Sequence, residues 1–211
     1  MLPIFLVVAA FVGGMGLAAD TIAGERERRS LEALLSHPVS RWALVVGKWA
    51  AAALVALVTV GLTLVSTGLL LRHPRVQALD LPLGLSAADA AAMGLVLAPL
   101  AVMVTAGQLL VALFARTYKE AQTQLSLLMF LPMLPGFLFA FGSIPIATWM
   151  IWTPVLGQQL MLSDILRGVV PAATVMAGLA LITLGVGAAL AGVTTHLLTR
   201  ENSARRMRSL P

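Results

Sequence analysis

The residues able to do chemistry in this sequence fall into three groups. The first is a charged run between Asp20 and Arg41. Within it Leu31, Leu34 and Leu35 share one face at helical spacing, beside Glu25, Glu27, Arg28 and Glu32. The pattern predicts a short amphipathic elbow helix over 25–36, with Glu25 and Arg29 as an i,i+4 pair in the favourable order. Gly24 is expected to end the helix before it. His37-Pro38 closes it, and Ser40 is placed to cap the next. A charged face with an apolar corner suits docking onto a partner protein. The same composition equally describes a solvated loop that only sets topology. The second group is Arg116, Lys119 and Glu120, a smaller charged loop. The third is Gln108, Gln158 and Gln159, amides in apolar surroundings, with Pro132 and Pro135 as expected kinks. Such residues can line a translocation path, or simply pack and bond neighbouring helices.

No catalytic or metal-binding set accompanies them. The phosphate-binding pattern G-x-x-x-x-G-K-[ST] is absent, because Gly47-Lys48-Trp49 lacks both the glycine loop and the hydroxyl. His37, His73 and His196 lie in separate segments, with no H-E-x-x-H. Gly142-Ser143 has no nucleophile-elbow context. The chain has no cysteine, which removes disulfides and thiolate chemistry.

Composition says what must hold these residues. Of 211 residues, 59% are hydrophobic and only 11% charged, and the mean hydropathy is +0.95. An ordinary soluble domain is about a quarter charged. This excludes a soluble enzyme, a nucleic-acid binder and a disordered tail, and predicts an all-α polytopic membrane protein. The net charge of +5 is then read as basic residues holding one side of a lipid bilayer, not as a nucleic-acid site.

A charge at mid-bilayer costs about 2.5–3.5 kcal/mol, so uncharged runs locate the helices. They predict spans at about 2–22, 42–71, 88–115, 123–142 and 169–198 within a single transmembrane domain, 1–211. Segment 144–162 is also uncharged, but Pro145, Pro154 and Gly157 interrupt it, and Trp149 and Trp152 suit the interface. It reads as a re-entrant or interfacial hairpin, whose irregular backbone must be buried in protein or line a wet cavity. Five crossings with the N-terminus outside put Arg26, Arg28, Arg29, Arg41, Lys48, Arg116, Lys119, Arg200, Arg205, Arg206 and Arg208 inside. Only Arg72, Arg75 and Arg167 remain outside. A sixth crossing would reverse the terminal arginines, so the bias favours five and a cytoplasmic C-terminus. Leu2 to Ala19 ends in small residues but lacks a basic n-region and runs into an arginine cluster, as a membrane helix rather than a cleaved signal would.

The stretches Asp20-Thr21-Ile22-Ala23-Gly24-Glu25-Arg26-Glu27-Arg28, Leu31-Glu32-Ala33-Leu34-Leu35-Ser36 and Pro38-Val39-Ser40-Arg41, with Gly47-Lys48, resemble the ABC-2-type permeases, and more closely their sodium-export-like branch. So do Ala115-Arg116-Thr117-Tyr118-Lys119-Glu120-Ala121 running to Pro135-Gly136, and Pro154-Val155-Leu156-Gly157-Gln158-Gln159 with Arg167-Gly168. The resemblance implies a permease subunit of the cell (inner) membrane that exports a substrate, sodium by branch likeness alone. It implies a second permease copy or homologous permease, and a separate ABC ATPase subunit that would carry ATP and magnesium. No cofactor is expected on this chain. It implies that Glu25 to Arg41 is the coupling element touching the ATPase, that Arg116 to Gln122 is a lesser contact, and that 144–162 is the outer hairpin. Family members usually have six helices, so the chain is expected to lack the usual first transmembrane helix and outer domain. The alternative is a non-transporting membrane anchor or assembly subunit.

The remaining polar residues have plain roles. Thr59, Thr63, Ser66, Thr67 and Ser126 are expected to bond their own or neighbouring helices, and Gly185, Ala188, Ala189 and Gly192 to mark close helix contact. Asp89 is placed at the outer end of a helix and Asp164 beyond the hairpin. With no carboxylate at depth, a proton relay is not expected.

Overall fold

An unpaired N–H or C=O in hydrocarbon costs several kcal/mol, and a helix satisfies these groups within its own segment. The uncharged runs accordingly fold as helices in the computed structural model, which describes residues 2–28, 30, 40–77, 86–141 and 147–208. Helix α1 runs Leu2–Glu27, α2 Arg41–Leu71, α3 Ala87–Ala112 and α4 Tyr118–Leu128. Then follow α5 Phe130–Phe141, α6 Leu156–Leu166 and α7 Ala173–Arg208. Among the described residues there is no strand. The protein is an all-α polytopic membrane protein. Helices α1, α2, α3 and α7 are long and apolar enough to cross a bilayer.

That count is four, not five, among the described residues, because the expected helix over 123–142 is two shorter ones. The break falls at Met129, a turn upstream of the prolines. Pro132 has no N–H to offer the Leu128 carbonyl and its ring crowds that oxygen, so the discontinuity appears one turn before it. Pro135 lies inside α5. Other ends also move. The third helix stops at Ala112 rather than 115. The last begins at Ala173, just after Pro171, and continues to Arg208. Helix α6 reaches Leu166, so Asp164 sits in its last turn rather than beyond it. Gly168 follows with φ +81, and the Gly168 and Val169 N–H groups close the helix on the Ile165 and Asp164 carbonyls. At Ser40 the backbone takes the N-cap position of α2, but its side chain makes no capping bond.

Gly24 does not end the first helix. It has helical angles, φ −64 and ψ −42, and the chain passes through a five-residue π stretch, Asp20–Gly24, into Glu25–Glu27. Packing overrides the intrinsic cost of glycine in a helix, since Ile22, Ala23 and Gly24 are all buried. The remainder of the expected elbow, 31–36 with Leu31, Glu32, Leu34 and Leu35, lies outside the described residues, as does Arg29.

Helix α3 is the hub, touching α1, α2, α4, α6 and α7. Two apolar cores follow one another along it. One joins Leu6, Val7, Ala10 and Phe11 of α1 to Leu97 and Leu100 of α3 and Leu162 and Ile165 of α6. The other joins Ala18, Ala19, Ile22 and Ala23 to Leu109, Leu113, Ala121, Leu125 and Leu198. Between them α1 is interrupted at Gly14. A β-carbon on Gly14 would lie 2.4 Å from Thr105 Cγ2, and one on Gly13 2.8 Å from Ala56 Cα. The glycines let three helices meet there. In α7 the close approach is made by Gly187, whose β-carbon would lie 3.1 Å from Met103 Cα. The expected contact residues Gly185 and Gly192 have nothing within 4 Å, and Ala188 and Ala189 are exposed. They sit on the opposite side of the helix from the hub.

Candidate functional site

One end of the bundle gathers the charged residues. It is formed by the end of α1, the start of α2, and the turn from α3 into α4. Within the π stretch, the Glu25 N–H reaches the Asp20 and Ile22 carbonyls and passes over that of Thr21. Lys48 of α2 donates to the Thr21 carbonyl and pairs with the Glu25 carboxylate. The Lys48 side chain is only 10% exposed and Glu25 25%, so this pair is largely desolvated. π-Turns inside helices occur often at functional positions, and here the irregularity presents a carbonyl to a cation on the next helix.

Arg26 and Glu27 reach the other way. Arg26 Nη1 donates to the Leu113 carbonyl at 2.7 Å and the Ala115 carbonyl at 3.0 Å, just past the C-terminus of α3. Glu27 Oε2 accepts from the Tyr118 N–H at 2.8 Å, at the first turn of α4. Each charge meets the helix pole of opposite sign. Thr117 caps α4 by accepting from the Glu120 N–H at 3.2 Å, and Glu120 in turn accepts from the Arg116 N–H at 2.8 Å. Arg28 Nη1 donates to Asp20 Oδ1 at 3.0 Å. That hydrogen bond and the Asp20 charge raise the Arg28 guanidinium above its ordinary value.

The expected docking residues are therefore brought together where they are described. Glu27 of the first stretch bonds the turn that carries Arg116 and Glu120, while Glu25 pairs with Lys48 and Arg28 with Asp20, and Lys119 lies in the first turn of α4. Sequence reasoning held Arg26 only within the Glu25 to Arg41 stretch and Lys48 only within the Gly47-Lys48 match and as an inside charge, and singled out neither as a side chain that bonds across helices. No spacing in one dimension pairs residue 26 with residue 113, or residue 21 with residue 48.

The amides separate into two places. Gln108 is 1% exposed and donates to the Phe11 carbonyl at 2.5 Å. The helix bond that carbonyl would accept from Met15 is interrupted at Gly14, so Gln108 stands in for it and accounts for the discontinuity. At the other end, Gln158 accepts from the Val155 N–H at 2.6 Å and donates to Thr183 Oγ1 of α7 at 2.9 Å. Val155 sits at φ +73, unusual for a β-branched residue and worth about 1–3 kcal/mol of strain. The Gln158 amide holds it. Gln159 donates to the Pro132 carbonyl at 2.6 Å, so it ties α6 to α5. Gln108 Oε1 and Gln159 Oε1 are buried with no hydrogen-bond partner among the described residues. Thr59, Thr63 and Thr67 each bond the carbonyl four residues back.

A family model described as ABC-2 family transporter protein matches residues 2–148. The chain belongs to the ABC-2 transporter family. The match takes in α1 to α5 and so the whole charged end. The chain is also similar to the ABC transporter permease protein NatB of Bacillus subtilis (strain 168), 33% identical over 187 residues. The similarity covers 83% of this chain and 46% of that relative. The chain thus spans about half the length of the curated relative it matches. No solved structure matches it. The charged end is the candidate site, because Arg26 and Glu27 join the end of α1 to the α3–α4 turn, the two stretches expected from the sequence to meet a partner.

Proposed function

We propose that the chain is the membrane permease subunit of an ABC transporter, driven to export its substrate by ATP hydrolysis on a separate ABC ATPase subunit. A second permease copy or a homologous permease completes the membrane half. ATP and magnesium belong to the ATPase, because this sequence has no phosphate-binding loop. The observation that carries the reading is the joining of residues 25–28 to the α3–α4 turn by Arg26 and Glu27, which forms one charged platform at one end of an apolar bundle. Gln108, Gln158 and Gln159, with Pro132 and Pro135, are proposed to border the path between the bundle's two ends.

The elbow supplies the direct test. By their spacing in the sequence Leu31, Leu34 and Leu35 are proposed as its apolar corner, and burying one leucine at an interface is worth about 1.5–3 kcal/mol. A carboxylate buried in its place costs more. Leu34→Asp should abolish co-purification of the ATPase at equal membrane expression. A charge change at Arg29 should be nearly silent, as surface pairs are worth about 0–1 kcal/mol. Retention of the ATPase by Leu34→Asp at the wild-type level sinks the docking assignment.

The platform is proposed to face the cytoplasm of the cell (inner) membrane, with the N-terminus outside, from the bias of basic residues toward that end. The absence of cysteine makes labelling unambiguous. His73→Cys, between α2 and α3, should react with an impermeant thiol reagent in intact cells. Gln122→Cys, exposed on α4, should react only after permeabilisation. The opposite pattern inverts the orientation.

A further inference from the structure

Arg26 and Glu27 are consecutive residues of opposite charge, and their partners are the backbone poles of two different helices. Arg26 holds the carbonyls of Leu113 and Ala115, where the partial charge of α3 is negative. Glu27 holds the N–H of Tyr118, where that of α4 is positive. All three bonds are charge-assisted, which makes them about twice as strong as neutral ones. They span more than eighty residues of sequence and grip the two sides of one short turn. Lys48 fixes the same segment of α1 to α2 through Glu25 and the Thr21 carbonyl. The point at which the elbow leaves the bundle is thereby bonded to α2, α3 and α4 together.

We infer that Arg26 and Glu27 form a latch that positions the α3–α4 turn on the end of α1, so that movement delivered to the elbow by an ATPase is passed to α3 and α4 as one unit. The transmission rests on the permease reading; the latch itself does not. Neither residue touches substrate, so both are positioning residues. The partners are fixed helix poles, which gives the latch a polarity. Exchanging the two charges leaves net charge unchanged, yet sets each side chain against a pole of its own sign.

The test uses the full chain in lipid nanodiscs, with and without the ATPase subunit. In the chain alone, amide hydrogen exchange is followed at Tyr118 to Ala121 and, for reference, in the middle of α7. Arg26→Gln and Glu27→Leu should each raise exchange at Tyr118 to Ala121 by about tenfold, the loss of that residue's charge-assisted bonding, with α7 unaltered. Arg26→Lys and Glu27→Gln, which keep a donor and an acceptor, should recover most of the protection. The double exchange Arg26→Glu with Glu27→Arg should exchange at least as fast as either single variant. Wild-type protection in the double exchange, or in both single variants, overturns the latch. In the complex, permease-dependent stimulation of ATP turnover, measured per ATPase bound, should fall about tenfold in Arg26→Gln. Arg26→Lys should restore it. Undiminished stimulation with the latch open overturns the transmission alone. Failure of the wild-type chain to capture any ATPase overturns the permease reading and the transmission with it, but leaves the exchange result standing.

Discussion

Gly157→Ala should destabilise the protein by about 3 kcal/mol or more, at the upper end of what overpacking a tight contact costs. A β-carbon at that position would lie 2.1 Å from the Ile151 carbonyl oxygen and 2.9 Å from Leu179 Cδ2. The first is backbone and cannot rotate away. The shift must then be taken by the Val155 turn, which is already held at an unfavourable φ. Gly185→Ala is the control. It has nothing within 4 Å and lies in the interior of α7, so it should be neutral or stabilising by about 0.5–1 kcal/mol. The measurement is thermal unfolding of the purified protein in detergent, read by loss of the monodisperse species. Equal midpoints for the two variants contradict the close approach of α6 to the turn before it.

Glu25→Ala should cost about 2–3 kcal/mol. Removing one partner of a buried ion pair costs roughly 3–5 kcal/mol because the other charge is stranded, and Glu25 is a quarter exposed, which lowers the figure. Lys48 keeps the Thr21 carbonyl, but a carbonyl does not neutralise it. Lys48→Met should cost less, since the carboxylate it leaves behind is nearer to water. The double variant should be more stable than the sum of the two single losses predicts, with a coupling of about 1–2 kcal/mol. The check is a double-mutant cycle on the same unfolding assay. Additive losses show that the two charges are held independently.

These contacts mark how far the chain could be read without its structure. Membrane class and the positions of the uncharged runs followed from a local quantity, the cost of placing a charge in hydrocarbon. That cost depends only on residue type and depth, so it is written along the chain. The elbow expected over 25–36 rests on the same kind of local feature, the apolar spacing of Leu31, Leu34 and Leu35 and the charges around them, and its part over 31–36 lies outside the described residues. Family membership was carried by contiguous motifs of the same stretch.

What the sequence could not contain was competition between local preference and distant partners. Gly24 is a helix breaker by propensity, yet it continues α1, because packing around Ile22 and Ala23 and the Lys48 bond to Thr21 hold the π stretch in place. Pro132 and Pro135 announced a bend, but the break sits at Met129, beside the Leu128 carbonyl that Pro132 deprives, while Pro135 lies inside α5. Gln108 could be placed only as a buried amide until the Phe11 carbonyl was seen to be its partner. Arg26 read as one more inside charge until the ends of α3 and α4 came within its reach and that of Glu27. The sequence by itself determined the solvent, the helical class and the chemical character of each loop, since each is a sum over neighbouring residues. Tertiary structure alone decided which charge meets which helix pole and where α1 is interrupted, because those bonds join residues far apart in the chain that meet only where α3 packs against both α1 and α2.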